Sequence, residues 1–310
     1  MNSLKQAVQT YTKRHADRDG LALTLVPGLR MMCVEAPTGD LHSVYKPLVC
    51  LILQGAKRIL VGNQQKVLSA GQSAIISADM PVVGRIVQAS AEEPYLAVAV
   101  ELDRAILREL AAHMGSGHTQ RPSEMQTLFA VDTEAEVIDC ASRLMKLLDR
   151  PDSAPLLRPG IMQELHYCLL SGSHGAVLRD IADPDSYASR LADAIALLRA
   201  EYTSRVSVEQ LAAEAGMSIS SFHKHFKHMT SLTPGHYQQR LRLIEARRLM
   251  FDEGSSASNA AFEVGYESVS QFTREYGRLF QTPPKRDALR YQKSLQAVDG
   301  DISESQRIGA

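Results

Sequence analysis

The stretch VEQLAAEAGMSISSFHKHFKHMTSLTP, residues 208–234, is followed by a second version of itself, ASNAAFEVGYESVSQFTREYGRLFQTPP, at 257–284. In each copy a short Ala-rich amphipathic segment ends at a glycine, and a second segment follows with apolar residues four apart. This is the helix–turn–helix pattern, whose second helix can enter a DNA major groove. The positions that match between the copies are Gly216 and Gly265, Phe222 and Phe272, Phe226 and Tyr276, and Pro234 and Pro284.

The second helix of the first copy is expected to begin after a capping Ser218 and to turn Phe222 and Phe226 inward. Its opposite face then carries small and hydrogen-bonding groups, which base edges and phosphates require. In this copy the predicted base contacts are Ser220, His223 and Lys224, and the predicted phosphate contacts are Ser218 and Lys227.

The second copy offers a different outer face. Arg274 carries a guanidinium that can bind guanine O6 and N7 together, and Val269 can meet a thymine methyl group. Ser268 and Arg278 also fit plainer roles, as a helix cap and a solvated charge. Here the predicted base contacts are Val269, Ser270, Thr273 and Arg274, and the predicted phosphate contacts are Ser268, Arg278, Lys285 and Arg286.

Between the copies, PGHYQQRLRLIEARRLMFDE (234–253) reads as one long helix. A rigid spacer would fix the distance between two recognition helices, and successive major-groove faces lie about 34 Å apart. One monomer is therefore expected to read two helical turns of double-stranded DNA. Because the two outer faces differ, the preferred site should be asymmetric.

Composition supports a two-domain protein without membrane helices. The chain has 310 residues, and 190–290 carry 14 Lys and Arg against 11 Asp and Glu, so this third is basic. The four cysteines are widely spaced, which favours reduced thiols. The N-terminus lacks the apolar core of a signal peptide, so a cytoplasmic protein is expected.

Residues 21–102 consist of short runs rich in β-forming residues, separated by turn residues such as Gly55, Gly62-Asn63 and Gly71. Such spacing is typical of a β-sandwich or barrel. From Asp103 the apolar period becomes helical. The segment SGSHGAVLRDIADPDS (171–186) resembles a connector, and helices are expected from there to residue 290.

The C-terminal third resembles the DNA-binding domain of the AraC/XylS family of bacterial transcription regulators. The resemblance rests on RLIEARRLM (242–250) and VGYESVSQFTREYGRLFQTPPKRD (264–287). It implies that the two recognition helices make the base contacts at the positions given above. Three departures stand out: Tyr276-Gly277 replaces the usual Phe-Lys, and Ser231 and Gln281 stand where Gly is common.

Residues 45–110 resemble the cupin-like N-terminal domain of one subgroup of these regulators, notably at Gln54-Gly55, Lys57 and Met80-Pro81. The resemblance implies an α+β, two-domain protein: a small β-barrel with flanking helices, then an all-α domain with two helix–turn–helix motifs. The expected division is an arm at 1–20, an effector or dimerisation domain at 21–175, a linker at 176–186, a DNA-binding domain at 187–290 with motifs at 208–229 and 257–280, and a flexible tail at 291–310.

Other functions fit less well. A cupin-type enzyme or small-molecule carrier needs several converging ligands, and His42 stands alone in the strand region; His223, His225 and His228 fall on different sides of their helix. We therefore expect no catalysis, no cofactor and no metal. A barrel that serves only dimerisation remains an alternative to a small-molecule effector site. RNA polymerase and a second copy of the chain are further candidate partners.

Overall fold

The computed structural model describes residues 1–114 and 127–293. The chain divides into two compact units, one formed by Met1–Ala196 with Val208–Pro234, the other by Leu197–Ser207 with the residues from Gly235 onward. The first copy of the repeat thus packs with the N-terminal region, and the second copy belongs to the second unit. The predicted tail lies outside the described residues from 294 onward, while 284–293 are helical.

The N-terminal region consists of helix α1 (Asn2–His15) and antiparallel strands. The strands are β1 (Leu21–Leu23), β2 (Leu29–Val34), β3 (Leu41–Tyr45), β4 (Leu48–Gln54), β5 (Ala56–Val61), β6 (Gln64–Ser69), β7 (Gln72–Ile76), β8 (Met80–Gln88), β9 (Tyr95–Glu101) and β10 (Leu128–Asp132).

These strands form two sheets, in the orders β1-β2-β9-β4-β7-β10 and β3-β8-β5-β6. Within the described ranges no strand pair joins one sheet to the other, so the expected barrel is not closed. The α+β, two-domain fold class is confirmed, with two open antiparallel sheets in place of a closed barrel. Closure depends on pairing between strands far apart in the chain, which local patterns do not report.

Strand β4 explains how the larger sheet is buried on both faces. Its residues Leu48 to Leu53 are all buried, without the alternation of a half-exposed strand. Val49, Leu51 and Leu53 join the core that the helices cover, whereas Cys50 and Ile52 point to the other face. The helices of this layer are α2 (Arg104–Met114), α3 (Ala135–Lys146), α4 (Ala154–Ser171) and α5 (Gly175–Ala182).

Helix α5 occupies the segment expected to be a connector. Leu178, Ile181 and Ala182 are buried in the same core as the larger sheet, so this short helix is held by packing. Its apolar residues recur three and four apart, a helical signal that the surrounding Gly, Ser and Asp residues mask.

The repeat forms as predicted. Its helices are α6 (Tyr187–Ala200), α7 (Val208–Glu214), α8 (Ile219–Thr230), the spacer α9 (Pro234–Asp252), α10 (Ala257–Glu263) and α11 (Val269–Phe280). Helices α8 and α11 are both 12 residues long, and α7 and α10 are both seven. Gly216 and Gly265 take left-handed turns with φ of 57° and 87°, as a glycine between two short helices allows.

Candidate nucleic-acid interface

Buried aromatic side chains fix the orientation of both recognition helices. Phe222 and Phe226 of α8 are 0% exposed, and so are Phe272 and Tyr276 of α11. Their rings pack at centroid distances of 5.3 Å in α8 and 5.4 Å in α11. Because an amphipathic helix buries one face, the opposite face of each helix is directed to solvent.

The predicted base-contact residues lie on these outer faces. Ser220, His223 and Lys224 are exposed on α8. On α11, Ser270, Thr273 and Arg274 are exposed, while Val269 is half-buried at the first helical position. Each copy is therefore able to present three or four side chains to one groove.

The two predicted phosphate contacts that precede the helices act as caps. The hydroxyl of Ser218 accepts a hydrogen bond from the backbone N–H of Ser221 at 3.3 Å, and that of Ser268 accepts one from Gln271 at 3.4 Å. Ser256 caps α10 in the same way. A capping hydroxyl keeps its own proton, so Ser218 and Ser268 can still donate to a phosphate.

Exposed basic residues surround the two recognition helices. Within residues 1–114 and 127–293, no ion pair uses Lys227, Arg278, Lys285 or Arg286, all of which are exposed. Helix α8 contains no Asp or Glu at all. Cations that are not neutralised within the protein are the groups that phosphates attract.

His225 has a structural role that the sequence did not reveal. Its ring stacks on Tyr187 of α6 at 4.2 Å, with an angle of 15° between the planes. Burial, together with the nearby charges of Lys224 and His228, lowers the pKa of His225, so the ring is neutral near pH 7. In the described part of the chain, no three His, Cys, Asp or Glu side chains are arranged to share a metal ion.

An arginine holds each turn glycine by its carbonyl group. Arg190 donates from Nε to the carbonyl of Ala215 at 2.7 Å and from its terminal nitrogen to the carbonyl of Gly216. Arg242 donates to the carbonyl of Gly265 at 2.9 Å and to that of Tyr202 at 2.6 Å. These bonds satisfy carbonyls at the end of a helix and fix the angle at which the recognition helix leaves.

Local sequence patterns do not reveal these arginines, because each lies more than 20 residues from its glycine. Ile219, which is 45% exposed at the first position of α8, was not among the predicted contacts either. Ile219 is the counterpart of Val269, and aligning the copies with an offset of 50 residues would have revealed it. An exposed aliphatic residue beside Ser220 extends the candidate interface of the first copy.

Comparison with known proteins identifies the family of this chain. A family described as the AraC-type transcriptional regulator N-terminus matches residues 25–177, and a helix-turn-helix domain matches 211–288. Together the two matches cover most of the chain. The chain belongs to the AraC/XylS family of transcriptional regulators.

Curated relatives of this AraC/XylS-family protein include the transcriptional activator RhaS. The RhaS of Klebsiella pneumoniae is 30% identical over 106 residues, covering 33% of this chain and 38% of the relative. That of Citrobacter koseri is 32% identical over 106 residues, with the same coverage. The chain thus spans about two fifths of the length of the curated relatives it matches.

Solved structures share the fold of this AraC/XylS-family chain over most of its length. ToxT from Vibrio cholerae, with an unsaturated fatty acid bound, matches with a TM-score of 0.56 and 11% identity, covering 84% of this chain and 94% of ToxT. An apo form of ToxT gives the same TM-score. The described residues contain no helix long and apolar enough to cross a membrane.

Proposed function

We propose that this protein is a sequence-specific, DNA-binding transcription regulator that reads two successive major-groove segments with α8 and α11. The proposal rests on one observation above all: the same helix–turn–helix unit occurs twice, each time with a buried aromatic face and an exposed polar face. Family membership and the RhaS relatives support it. A DNA partner in a bacterium also implies a cytoplasmic location.

The residue roles follow from the two faces. Ser220, His223 and Lys224 would read one groove segment, and Val269, Ser270, Thr273 and Arg274 the next. Since His and Lys on one side differ from Val, Thr and Arg on the other, one monomer would prefer an asymmetric site. Phosphate contacts would fix the position of the protein along the DNA duplex. The residues proposed to make them are Ser218, Lys227, Ser268, Arg278, Lys285 and Arg286.

The N-terminal region, which contains both sheets, would bind the small molecule that regulates the protein. The fold neighbour ToxT has been solved with an unsaturated fatty acid bound, which supports a small-molecule effector in the N-terminal region here. We propose 21–175 as the effector domain and 187–290 as the DNA-binding domain. A second copy of the chain and RNA polymerase are further proposed partners, and we propose no catalytic step.

Selection of binding sites from a random DNA library by the full-length protein tests the proposal. We expect an enriched motif with two unlike halves separated by about one helical turn. His223→Ala should relax preference in one half only, and Thr273→Ala in the other. Lys146→Ala is the matched control because it removes an exposed cation from α3, far from both copies in sequence.

Two results would contradict the proposal. One is enrichment of no motif at all, which would leave only non-specific binding. The other is relaxation of the same half of the motif by both His223→Ala and Thr273→Ala, which would mean that the two helices do not read separate segments.

A further inference from the structure

A buried lysine lies between the two sheets. Lys57 is 4% exposed, and its ammonium donates a hydrogen bond to the Tyr45 hydroxyl at 3.1 Å. Gly84 makes room for it, because a Cβ at that position would lie 2.6 Å from Lys57 Cε. The side chain therefore crosses the inner face of the smaller sheet toward the larger one, where Met32 Sδ lies 4.0 Å from the ammonium.

The charge of Lys57 has no anionic partner among the described residues. The ion pairs formed elsewhere on these sheets, such as Arg30 with Glu101, do not include it. Cys50 faces it from the larger sheet, but burial raises the pKa of that thiol, which stays protonated. A buried ammonium without a counter-charge is costly, so proteins seldom keep one that has no use.

A second unused donor, Tyr95, lies on the facing sheet, where Cys50 and Tyr45 are near it. Tyr95 is 0% exposed, and its hydroxyl makes no hydrogen bond within the described ranges. Burial, with Cys50 and Tyr45 nearby, raises the pKa of Tyr95 well above its ordinary value, so the phenol keeps its proton. Tyr95 shares a strand face with Ala97 and Ala99, which places it between the sheets.

Small side chains line the larger sheet at this point. Ala99 pairs with Cys50, and Cys50 pairs with Ala74, so the three side chains form one row on the inner face. Ile52 and Ala97 form the neighbouring row. The side chains around the two donors are thus apolar and mostly short, which suits the hydrocarbon part of a small molecule.

We propose that this intersheet site binds an organic monoanion, a carboxylate whose oxygens accept hydrogen bonds from Lys57 and Tyr95 while its apolar body lies along the row of small residues. One cation calls for one negative charge, because a dianion would leave a charge unpaired in the same apolar space. This inference rests on the proposed function, since it identifies the chemical class of effector that the N-terminal region would sense.

Isothermal titration of the full-length protein tests the site. The probes are hexanoate and benzoate, their neutral counterparts hexanol and benzyl alcohol, and inorganic phosphate in mildly alkaline buffer, where the dianion predominates. We expect at least one carboxylate to bind, and the alcohols and phosphate to bind far more weakly. Lys57→Met should weaken carboxylate binding by about 10–100-fold, the range for losing a hydrogen bond to a charged group. Tyr95→Phe should weaken it by about tenfold or more.

Arg58→Met is the matched control, because Arg58 is the next residue of β5 with its side chain on the opposite face. It should bind the carboxylate as the wild type does. Without added carboxylate, Lys57→Met should unfold at the same or a higher temperature, since it removes an unpaired buried charge. If Lys57→Met does not fold, Tyr95→Phe alone decides the outcome.

Failure of both carboxylates to bind the wild-type protein overturns the inference, and so does equal binding by the Lys57→Met and Arg58→Met variants. Equal affinity for an acid and its alcohol would also overturn it. These titrations contain no DNA, so their outcome is independent of the DNA-binding proposal. Loss of sequence preference with carboxylate binding retained would count against that proposal alone.

Discussion

At the scale of single residues, both recognition helices end at a side-chain-bearing residue in the left-handed conformation. Ser231 after α8 has φ of 59°, and Gln281 after α11 has φ of 57°. Glycine is the usual residue at such a position because any Cβ is strained there. The departure from the family pattern noted in the sequence therefore has a free-energy cost, while the backbone geometry is retained.

Replacing Gln281 with glycine should remove that strain. We expect Gln281→Gly to raise the free energy of unfolding by roughly 0.5–1 kcal/mol, after allowing for the greater flexibility of glycine in the unfolded chain. Urea denaturation measures the change. Gln271→Gly is the control, since the same substitution inside α11 should lower stability by about 1 kcal/mol. Destabilisation by Gln281→Gly would contradict the account.

The other departure, Tyr276 in place of Phe, is explained by its hydroxyl group. Tyr276 donates to Asp287 Oδ2 at 2.8 Å, and Arg247 donates to the same oxygen at 2.9 Å. Asp287 is 7% exposed, so both bonds lie in a largely dry environment. This network joins α11, α9 and the helical stretch 284–293, and it involves residues that sequence patterns could not pair.

His174 should make the protein sensitive to mild acid. It is 5% exposed, and burial lowers its pKa to about 4. The unfolded state, with an ordinary histidine pKa near 6.5, binds the proton first as pH falls. Stability is therefore fullest above about pH 6.5 and declines toward pH 4, by up to about 3 kcal/mol for this residue.

Denaturation curves at pH 7 and pH 5 test this effect. His174→Gln should reduce the stability lost between the two pH values by about 2 kcal/mol relative to the wild type. An identical pH dependence in His174→Gln and the wild type would show that His174 is not the sensitive group.

At the scale of elements, α11 contains a glycine with no structural need for one. A Cβ at Gly277 would meet nothing within 4 Å, and its backbone is helical. Gly277→Ala and Gly277→Lys should both stabilise the protein, by about 0.5–1 kcal/mol. Only the lysine adds a phosphate contact, so it alone should steepen the salt dependence of DNA binding, by about one unit of slope.

Fluorescence anisotropy on DNA at several salt concentrations separates the two effects of Gly277→Lys. The alanine variant serves as the control for helix stability. Equal salt slopes for the lysine and alanine variants would mean that position 277 does not face the phosphate backbone.

The turn between β5 and β6 touches the end of the first recognition helix. The N–H of Asn63 donates to Ser231 Oγ at 3.1 Å, and Ser231 Oγ donates to Asn63 Oδ1 at 2.8 Å. A Cβ on Gly62 would lie 2.6 Å from Ser231 Oγ. The smaller sheet and the first copy are therefore in direct contact within the first unit, at the turn that follows the strand carrying Lys57.

Gly62→Ala should loosen this contact. Gly71→Ala is its control, because Gly71 is also left-handed, with φ of 89°, but its Cβ would meet nothing within 4 Å. Both variants should suffer backbone strain of about 1 kcal/mol, and only Gly62→Ala should also speed amide hydrogen exchange at the end of α8. Equal exchange in the two variants would show that the contact does not hold the helix.

At the scale of the whole molecule, the features that the sequence predicted correctly are those that depend on residues close together in the chain. The glycine turns and the caps Ser218 and Ser268 are local features, and all are confirmed. The open sheets and the bonds from Arg190 and Arg242 to the turn carbonyls were not predicted, because they depend on contacts across long sequence separations. Helix α5 was missed because Gly, Ser and Asp residues around it mask its helical pattern. The base and phosphate contacts remain predictions.

The central claim is that the exposed faces of α8 and α11 read DNA sequence, and the Arg274→Ala variant tests it most directly. Anisotropy should be measured on the selected site and on sites with single base-pair changes. We expect Arg274→Ala to lose about 1–3 kcal/mol of discrimination at one position, while Lys227→Ala weakens binding to all sites about equally. An unchanged base preference in Arg274→Ala would contradict the account.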